Sequence, residues 1–145
     1  MSMLGEELEG ASVLDLFAGV GGLGVEAYSR GADPVVLVEL DAGAARRLDR
    51  AFGQDVRVLR GDACQPGRLG LSGCYSVVLL DPPWGQGLGV RALEAVGAAG
   101  LASADATAVL IHEAGAEPAA PGWEVRRTRR HGDGEVTLMT RKEEA

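Results

Sequence analysis

Short apolar runs alternate along this chain with segments in which apolar residues recur at helical spacing. Each run is too short for a typical helix and is soon followed by a glycine or an acidic residue, which is typical of a buried strand in a parallel sheet. The predicted strands cover residues 11–17, 35–38, 56–59, 74–80 and 106–111. The predicted helices follow the glycines at 19–24, with Gly31 as a C-cap, and cover 42–51 and 88–99.

Two further segments near the C-terminus, 123–130 and 135–141, predict antiparallel strands joined around His131-Gly132-Asp133-Gly134. Residues 1–10 are expected to form a frayed helical lead-in. Because strands alternate with helices before the hairpin, we expect an α/β protein. Its sheet should be Rossmann-like, doubly wound, mostly parallel and seven-stranded, with an antiparallel C-terminal hairpin. The length of 145 residues predicts a single domain, 1–145.

Composition excludes several classes of protein. Hydrophobic residues make up 46% of the chain, which argues against wholesale disorder. No apolar run is long enough to span a bilayer, and the acidic N-terminus differs from the basic start of a signal peptide. Two cysteines, Cys64 and Cys74, make neither a disulfide framework nor a zinc site. We therefore expect a cytoplasmic protein, with no membrane partner and no metal site.

The net charge and the local distribution of charge lead to opposite expectations about nucleic-acid binding. The net charge of −7 argues against a strongly basic nucleic-acid binder. Basic residues nevertheless crowd the C-terminal hairpin: Arg126, Arg127, Arg129, Arg130, Arg141 and Lys142. They could form a phosphate-facing patch or the solvated side of an edge hairpin. Strand alternation predicts that Arg127 and Arg129 share one face, with Arg126 and Arg130 on the other.

The segment Asp81-Pro82-Pro83-Trp84 directly follows the predicted strand 74–80. Neither proline can donate to a strand ladder, so the strand should end there in a stiff, extended elbow. Ligands of open α/β sheets bind at this carboxyl end of the strands. Asp81 and the Pro82 carbonyl offer acceptors for the N–H bonds of a planar amine, and Trp84 offers a ring for stacking. A plain strand-ending turn is the alternative, because Asp and Pro are common in turns.

A glycine motif, Gly19-x-Gly21-x-x-Gly24, follows the first predicted strand and opens a helix. This pattern matches the dinucleotide-binding fingerprint, so an NAD-dependent hydride enzyme is a rival interpretation. Asp15 argues against NAD, because its carboxylate four residues before Gly19 would repel a pyrophosphate. The same carboxylate would favour a cationic or amino-bearing ligand.

Acidic residues stand at four consecutive strand ends, namely Asp15, Glu39, Asp62 and Asp81. S-adenosylmethionine presents an amino group, ribose hydroxyls and an adenine N6 amine, all of which can donate to carboxylates. Two ribose O–H bonds to Glu39 would be charge-assisted and therefore strong. Each acid alone is typical of a cap or a turn. Four acids at one edge of an open sheet favour S-adenosylmethionine.

Residues 13–27 read VLDLFAGVGGLGVEA, and residues 29–32 read SRGA. This stretch resembles the first motif of class I methyltransferases and, more narrowly, that of the bacterial small-subunit ribosomal RNA guanine-N2 methyltransferase family. The elbow at residues 81–84 is similar to that family's Asp-Pro-Pro-Tyr, with Trp84 in place of Tyr. Arg130-His131-Gly132-Asp133 resembles its closing hairpin motif. The resemblance covers roughly residues 11–142, but the family's N-terminal segment of some tens of residues is represented here by ten.

The resemblance implies an S-adenosylmethionine-dependent N-methyltransferase that acts on an exocyclic amino group, with guanine N2 of ribosomal RNA as the expected target. It implies that the target amine is held by Asp81, Pro82 and Trp84. It implies that the cofactor is bound by Asp15, Phe17, Gly19, Gly21, Glu39, Asp62 and Ala63. RNA is the expected partner, through the Arg-rich hairpin, and a monomer is favoured.

Other substrates fit the same motif, because DNA bases, protein glutamine and small amines also present a planar amide or amine. A non-catalytic module that binds cofactor or RNA without turnover is a further alternative. The two histidines are weaker candidates for chemistry. His112 at a strand end could line the pocket, although a structural role is favoured, and His131 in the hairpin turn is expected to be solvated.

Overall fold

The computed structural model describes residues 4–116 and 118–142. Seven strands form one sheet: β1 (Val13–Asp15), β2 (Val35–Glu39), β3 (Arg57–Arg60), β4 (Tyr75–Leu80), β5 (Ala102–Glu113), β6 (Trp123–His131) and β7 (Gly134–Arg141). Their order across the sheet is β3-β2-β1-β4-β5-β7-β6. Strands β1 to β5 pair in parallel, whereas β7 is antiparallel to both β5 and β6. The predicted fold class is therefore confirmed.

Three α-helices connect the parallel strands: α1 (Gly22–Ser29), α2 (Ala42–Phe52) and α3 (Leu88–Ala98). Short 3-10 helices lie at Gly5–Leu8 and Pro66–Arg68. The Asp41 carboxylate caps α2 by accepting a hydrogen bond from the Ala44 N–H at 2.8 Å, as an aspartate directly before a helix commonly does. Within residues 4–116 and 118–142, no helix has the length and apolar character needed to cross a membrane.

Both faces of the sheet are covered by apolar layers, because successive strand residues point to opposite faces. On one face, Leu14 and Val78 pack with Leu93 of α3. On the other face, Leu37 and Leu79 pack in the layer that contains Ala27 of α1 and Leu48 of α2. Strands β1 and β4 are buried on both faces at the centre of the sheet. Their carboxyl ends are therefore held rigidly, and functional groups beyond them are well positioned.

Two strand lengths differ from the prediction. Strand β1 has three residues and not the seven predicted at 11–17, because the chain bends at Leu16 and Phe17 towards the glycine loop. The Leu16 N–H still donates to the Leu79 carbonyl oxygen of β4 at 3.0 Å. Strand β5 has twelve residues and begins at Ala102, before the apolar run at 106–111. It extends because β4 pairs with it at Ala102 and, after a register shift, from Thr107 to Leu110, and because β7 pairs with it up to Glu113. Pairing with β4 and β7, and not hydrophobicity alone, therefore sets the length of β5.

The predicted division of the hairpin arginines between faces is wrong for Arg126. A β-bulge between Val125 and Arg127 shifts the register, so that Arg127 lies opposite Leu138. The Arg126 Nε–H donates to Thr140 Oγ1 at 2.8 Å, on the same face as Leu138. Extra residues in a bulge break the strict alternation of a strand. Arg126 therefore shares a face with Arg127, whereas Arg130 points to the other face.

Candidate active site

The carboxyl ends of β1 to β4 surround a cavity of about 930 Å³. The cavity lies where ligands bind in open α/β sheets. It brings together seven of the residues predicted from the sequence, namely Phe17, Gly19, Glu39, Asp62, Ala63, Asp81 and Pro82. Three others, Asp15, Gly21 and Trp84, are not among the lining residues. Acids from three different strand ends therefore face one space.

Glu39, the last residue of β2, joins two loops at the cavity wall. Its Oε1 accepts a hydrogen bond from the Gly19 N–H at 2.9 Å, and its Oε2 accepts one from the Asp41 N–H at 2.7 Å. Gly19 has a φ of 56°, in the left-handed region that glycine adopts without strain. A carboxylate has about four acceptor sites, so Glu39 retains capacity for ligand hydroxyls. The loop geometry and the ligand site thus depend on the same side chain.

Asp62 follows β3 and folds back on its own loop. Its Oδ1 accepts a hydrogen bond from the Cys64 N–H at 2.9 Å, a local turn that Asp side chains commonly make. This bond fixes the orientation of a largely exposed carboxylate at the cavity wall. The second oxygen can accept an amine N–H, which is the role that the sequence predicts for this residue.

Asp15 lies beneath the glycine loop and is only 1% exposed. Its Oδ2 accepts a hydrogen bond from the Gly24 N–H at 3.0 Å, whereas Oδ1 is buried without a well-oriented donor. Burial raises the pKa of Asp15 to about 7, against the neighbouring N–H groups of Gly24 and Phe17, which lower it. The negative charges of Asp81 and Glu39 raise it further. Direct contact between Asp15 and a cofactor stays a prediction, since Asp15 is not on the cavity lining.

The elbow after β4 separates the large cavity from a smaller one of about 260 Å³. Pro82 and Pro83 line both cavities, Asp81 lines the larger one, and Trp84 lines the smaller one. Asp81 is solvent-exposed, but partial desolvation of its carboxylate raises its pKa. The charge of His131 opposes this rise in the pKa. The three predicted amine-binding residues are therefore adjacent, and they span the boundary between the cavities.

Trp84 is 42% exposed, and the outer edge of its ring reaches the C-terminal hairpin. A Cβ placed on Gly134 would lie 2.6 Å from Trp84 Cζ2 and 2.7 Å from Cη2. The hairpin turn thus borders the elbow, with His131 close enough to influence Asp81. Sequence reasoning missed this neighbourhood, because nothing local in the sequence shows that Gly134 and Trp84 meet.

His112 is buried near the end of β5, and both of its ring nitrogens are engaged. Nδ1 lies 3.0 Å from the Glu113 carbonyl oxygen, and Nε2 is hydrogen-bonded to Thr137 Oγ1. Thr137 Oγ1 lies 2.9 Å from Thr128 Oγ1, which extends the chain of polar contacts from β5 through β7 to β6. These contacts favour the structural role, although the residue also lines the smaller cavity.

Sequence reasoning also missed lining residues of the large cavity, among them Leu40, Arg60, Cys64 and Leu88. Leu40 carried a usable signal, because it is a large apolar residue directly after a strand end and is 64% exposed. Burial raises the pKa of the Cys64 thiol above its usual range, and the charge of Asp62 adds to the rise. The thiol is therefore poorly suited to act as a nucleophile at neutral pH.

Comparison with known proteins places the chain in a family. Residues 1–140 match the family described as conserved hypothetical protein 95. A Bacillus subtilis (strain 168) protein named "Putative rRNA methyltransferase YlbH" is 45% identical over 47 residues. That match spans 32% of this chain and only 26% of the relative's length.

Two solved structures are similar over nearly the whole chain. The "Putative methyltransferase yhhF" of Escherichia coli superposes with a TM-score of 0.85 and 26% identity, over 97% of this chain and 81% of that one. A conserved hypothetical protein of Streptococcus pyogenes gives a TM-score of 0.85 and 28% identity, over 97% and 92%. The chain belongs to the conserved hypothetical protein 95 family. Its predicted membership in a class I methyltransferase family is confirmed.

The raised pKa of Asp15 predicts a pH-dependent stability. The folded state holds the Asp15 proton up to about pH 7, whereas the unfolded chain releases it near pH 4. The contribution of Asp15 to the free energy of unfolding is therefore fully present below about pH 4, falls between about pH 4 and 7, and is lost above that range. In Asp15→Asn, which keeps an acceptor for Gly24, this fall should be absent.

Urea denaturation at several pH values between 4.5 and 8.5 measures the difference between the wild type and Asp15→Asn. The wild type should lose stability relative to the variant as the pH rises towards 7. Asp55→Asn, at an exposed position after α2, controls for removal of a carboxylate. A difference between the wild type and Asp15→Asn that does not change with pH contradicts the assignment.

Proposed function

We propose that this chain is an S-adenosylmethionine-dependent N-methyltransferase that acts on an exocyclic amino group of a nucleic-acid base, with guanine N2 in ribosomal RNA as the favoured target. The observation that carries this proposal is the elbow at residues 81–84. It presents a carboxylate, a proline carbonyl and an indole ring beside a cavity edged by Glu39 and Asp62. The name of the Bacillus subtilis relative supports the RNA substrate.

The residues of the large cavity fit S-adenosylmethionine better than NAD. Glu39 would accept the ribose hydroxyls, and Asp62 with Ala63 would meet the adenine. Gly19 brings the backbone close to the ligand. The dinucleotide would instead place a pyrophosphate among the carboxylates of Glu39, Asp62 and Asp81, which would repel it.

Asp81 and Pro82 supply the acceptors for the target amine. The lone pair of an exocyclic amine is delocalised into the base, which makes the amine a poor nucleophile. The Asp81 carboxylate and the Pro82 carbonyl draw the N–H bonds out of the ring plane, which restores sp3 character at the nitrogen and directs its lone pair at the methyl group. When bound, S-adenosylmethionine supplies an electrophilic methyl group on a positively charged sulfur, which leaves as a neutral thioether. Positioning provides most of the acceleration, and Asp81 stabilises the positive charge that develops on nitrogen.

The smaller cavity beside Trp84 would hold the target base after it leaves the stack of neighbouring bases in the nucleic acid. An amine within a duplex cannot reach the elbow, so the base must be extruded or single-stranded. Trp84 would stack on the base, and the hairpin arginines would contact neighbouring phosphates. The net charge of −7 instead favours a second candidate, N-methylation of an amide or amine outside RNA. Methyl transfer from labelled cofactor to separate RNA, DNA and protein fractions decides between these substrates, and transfer to none of them indicates a binding module.

Glu39→Ala should weaken the binding of S-adenosylhomocysteine by about 1.5–3 kcal/mol, the range for hydrogen bonds to a charged group. Isothermal titration calorimetry measures the change. Glu26→Ala, at an exposed glutamate of α1 whose partner is Arg30, is the matched control and should leave the affinity unchanged. Tight NAD binding by the wild type, without binding of S-adenosylhomocysteine, would contradict the cofactor assignment.

Asp81→Ala should abolish methyl transfer and leave cofactor affinity nearly intact, because its contribution is greatest in the transition state. Trp84→Ala should instead weaken RNA binding by about 1–3 kcal/mol, the range for a stacked base. Single-turnover rates measured beside melting temperatures separate these effects from loss of folded protein. Normal methyl transfer by folded Asp81→Ala would rule out this mechanism.

The hairpin arginines should contribute to RNA affinity in a salt-dependent way. Each lost phosphate contact lowers the slope of log affinity against log salt by about one. The double variant Arg127→Ala/Arg129→Ala removes charge from one face of β6. Arg46→Ala/Arg50→Ala, on exposed positions of α2, removes the same charge elsewhere. RNA filter binding across a salt series should show a reduced slope for the β6 pair alone, and equal slopes for both pairs contradict a hairpin contact.

A further inference from the structure

The contact between Trp84 and Gly134 has no role in the chemistry described above, yet it joins two distant parts of the chain. Trp84 belongs to the elbow after β4, and Gly134 is the first residue of β7. A Cβ on Gly134 would lie 2.5 Å from the His112 carbonyl oxygen as well as within 2.7 Å of two Trp84 ring carbons. Real Cβ atoms do not approach other heavy atoms so closely. Only glycine at this position allows the ring, the hairpin and β5 to meet as they do.

The surface beneath Trp84 is firmly held. Gly134 pairs with Glu113 of β5 on one side and with His131 of β6 on the other. The buried contact of His112 with Thr137 joins β5 and β7 three residues further along β7. The Glu135 carboxylate also accepts a hydrogen bond from the Gly115 N–H at 2.9 Å. The hairpin end is therefore a fixed support, and a side chain resting on it is held in place.

We propose that Gly134 is a positioning residue for the target base, because it provides the seat that fixes the ring of Trp84 beside the elbow. This inference rests on the proposed function of the elbow. Fixing the ring in advance removes part of the entropy cost of ordering a stacking partner when the base arrives. Burial raises the pKa of Asp81, and the charge of His131 in the same turn opposes that rise, which is a second link between the hairpin and the amine site.

Tryptophan fluorescence tests the contact between Gly134 and the Trp84 ring without any measurement of activity. The chain has two tryptophans, so Trp123→Phe leaves Trp84 as the sole tryptophan, and excitation at the long-wavelength edge of tryptophan absorption avoids the tyrosines. In that background Gly134→Ala should displace the ring, shift its emission to longer wavelength and increase its quenching by acrylamide. Gly67→Ala, where a Cβ would meet nothing within 4 Å, is the matched control and should change neither quantity. Unchanged emission and quenching in folded Gly134→Ala overturn the proposal.

A double-mutant cycle tests the functional consequence. Gly134→Ala should raise the KM for a small-subunit ribosomal RNA transcript by at least about fivefold and up to about 140-fold, the range that corresponds to loss of a stacking contact. The affinity for S-adenosylhomocysteine should be unchanged. In a Trp84→Ala background, Gly134→Ala should raise KM no further, because the residue acts through the ring. Additive effects on KM overturn the positioning role.

A third variant avoids any change to the strand and covers the case in which Gly134→Ala does not fold. Trp84→Phe keeps an aromatic ring but lacks the Cζ2 and Cη2 atoms that reach Gly134. If the contact with Gly134 positions the ring, the KM of Trp84→Phe for RNA should move towards that of Trp84→Ala. A KM near the wild-type value would show that stacking alone suffices and would overturn the proposal. Absence of methyl transfer to RNA in the wild type would instead refute the proposed function, while the fluorescence result would still report on the seat.

Discussion

The hydrogen bond from the Gly24 N–H to the buried Asp15 carboxylate is the constraint on which the glycine loop depends. It joins the end of β1 to the first turn of α1 at a point where the chain must reverse direction. A side chain at position 24 would overlap Leu37 and press on Asp15, so only glycine permits this approach. Because β1 is fully buried, the loop that Asp15 holds has a rigid base.

The acids around the large cavity repel one another, and the fold keeps them together nevertheless. Asp15 is affected by the charges of both Glu39 and Asp81, and all three follow or end strands of the same sheet. The backbone N–H groups of Gly19, Asp41 and Gly24 offset part of the repulsion by donating to two of the carboxylates. A cationic ligand would offset more of it, which connects the electrostatics of the free protein to the charge of the proposed cofactor.

The features of the site that could be predicted from sequence are those set by local chemistry. Pro82 and Pro83 end β4 because neither can donate to a strand ladder. The N-cap of α2 depends only on Asp41 and the first turn of the helix that follows it. The carboxyl ends of parallel strands meet at one edge, so the sequence alone predicts that the acids at the ends of β2, β3 and β4 lie together.

The features that sequence reasoning missed depend on contacts between distant residues. The meeting of Trp84 with Gly134 requires the hairpin to be docked beside the elbow, and no local pattern encodes that docking. The bulge at Arg126 arises from the pairing of β6 with β7, and the alternating pattern of either strand alone gives no sign of it. Asp15 was predicted to face a ligand, but whether it also supports the loop could be learned only from its burial.

The bulged, arginine-rich strand β6 lies at one edge of the sheet, and among residues 4–116 and 118–142 no further strand pairs with its outer backbone groups. An open edge of nine residues could otherwise pair with the same edge of another copy. Like charges at closely spaced positions would repel such a copy, and the bulge would spoil the register of the new ladder. These arginines thus oppose aggregation of the folded chain, and they would do so whether or not a phosphate ever contacts them.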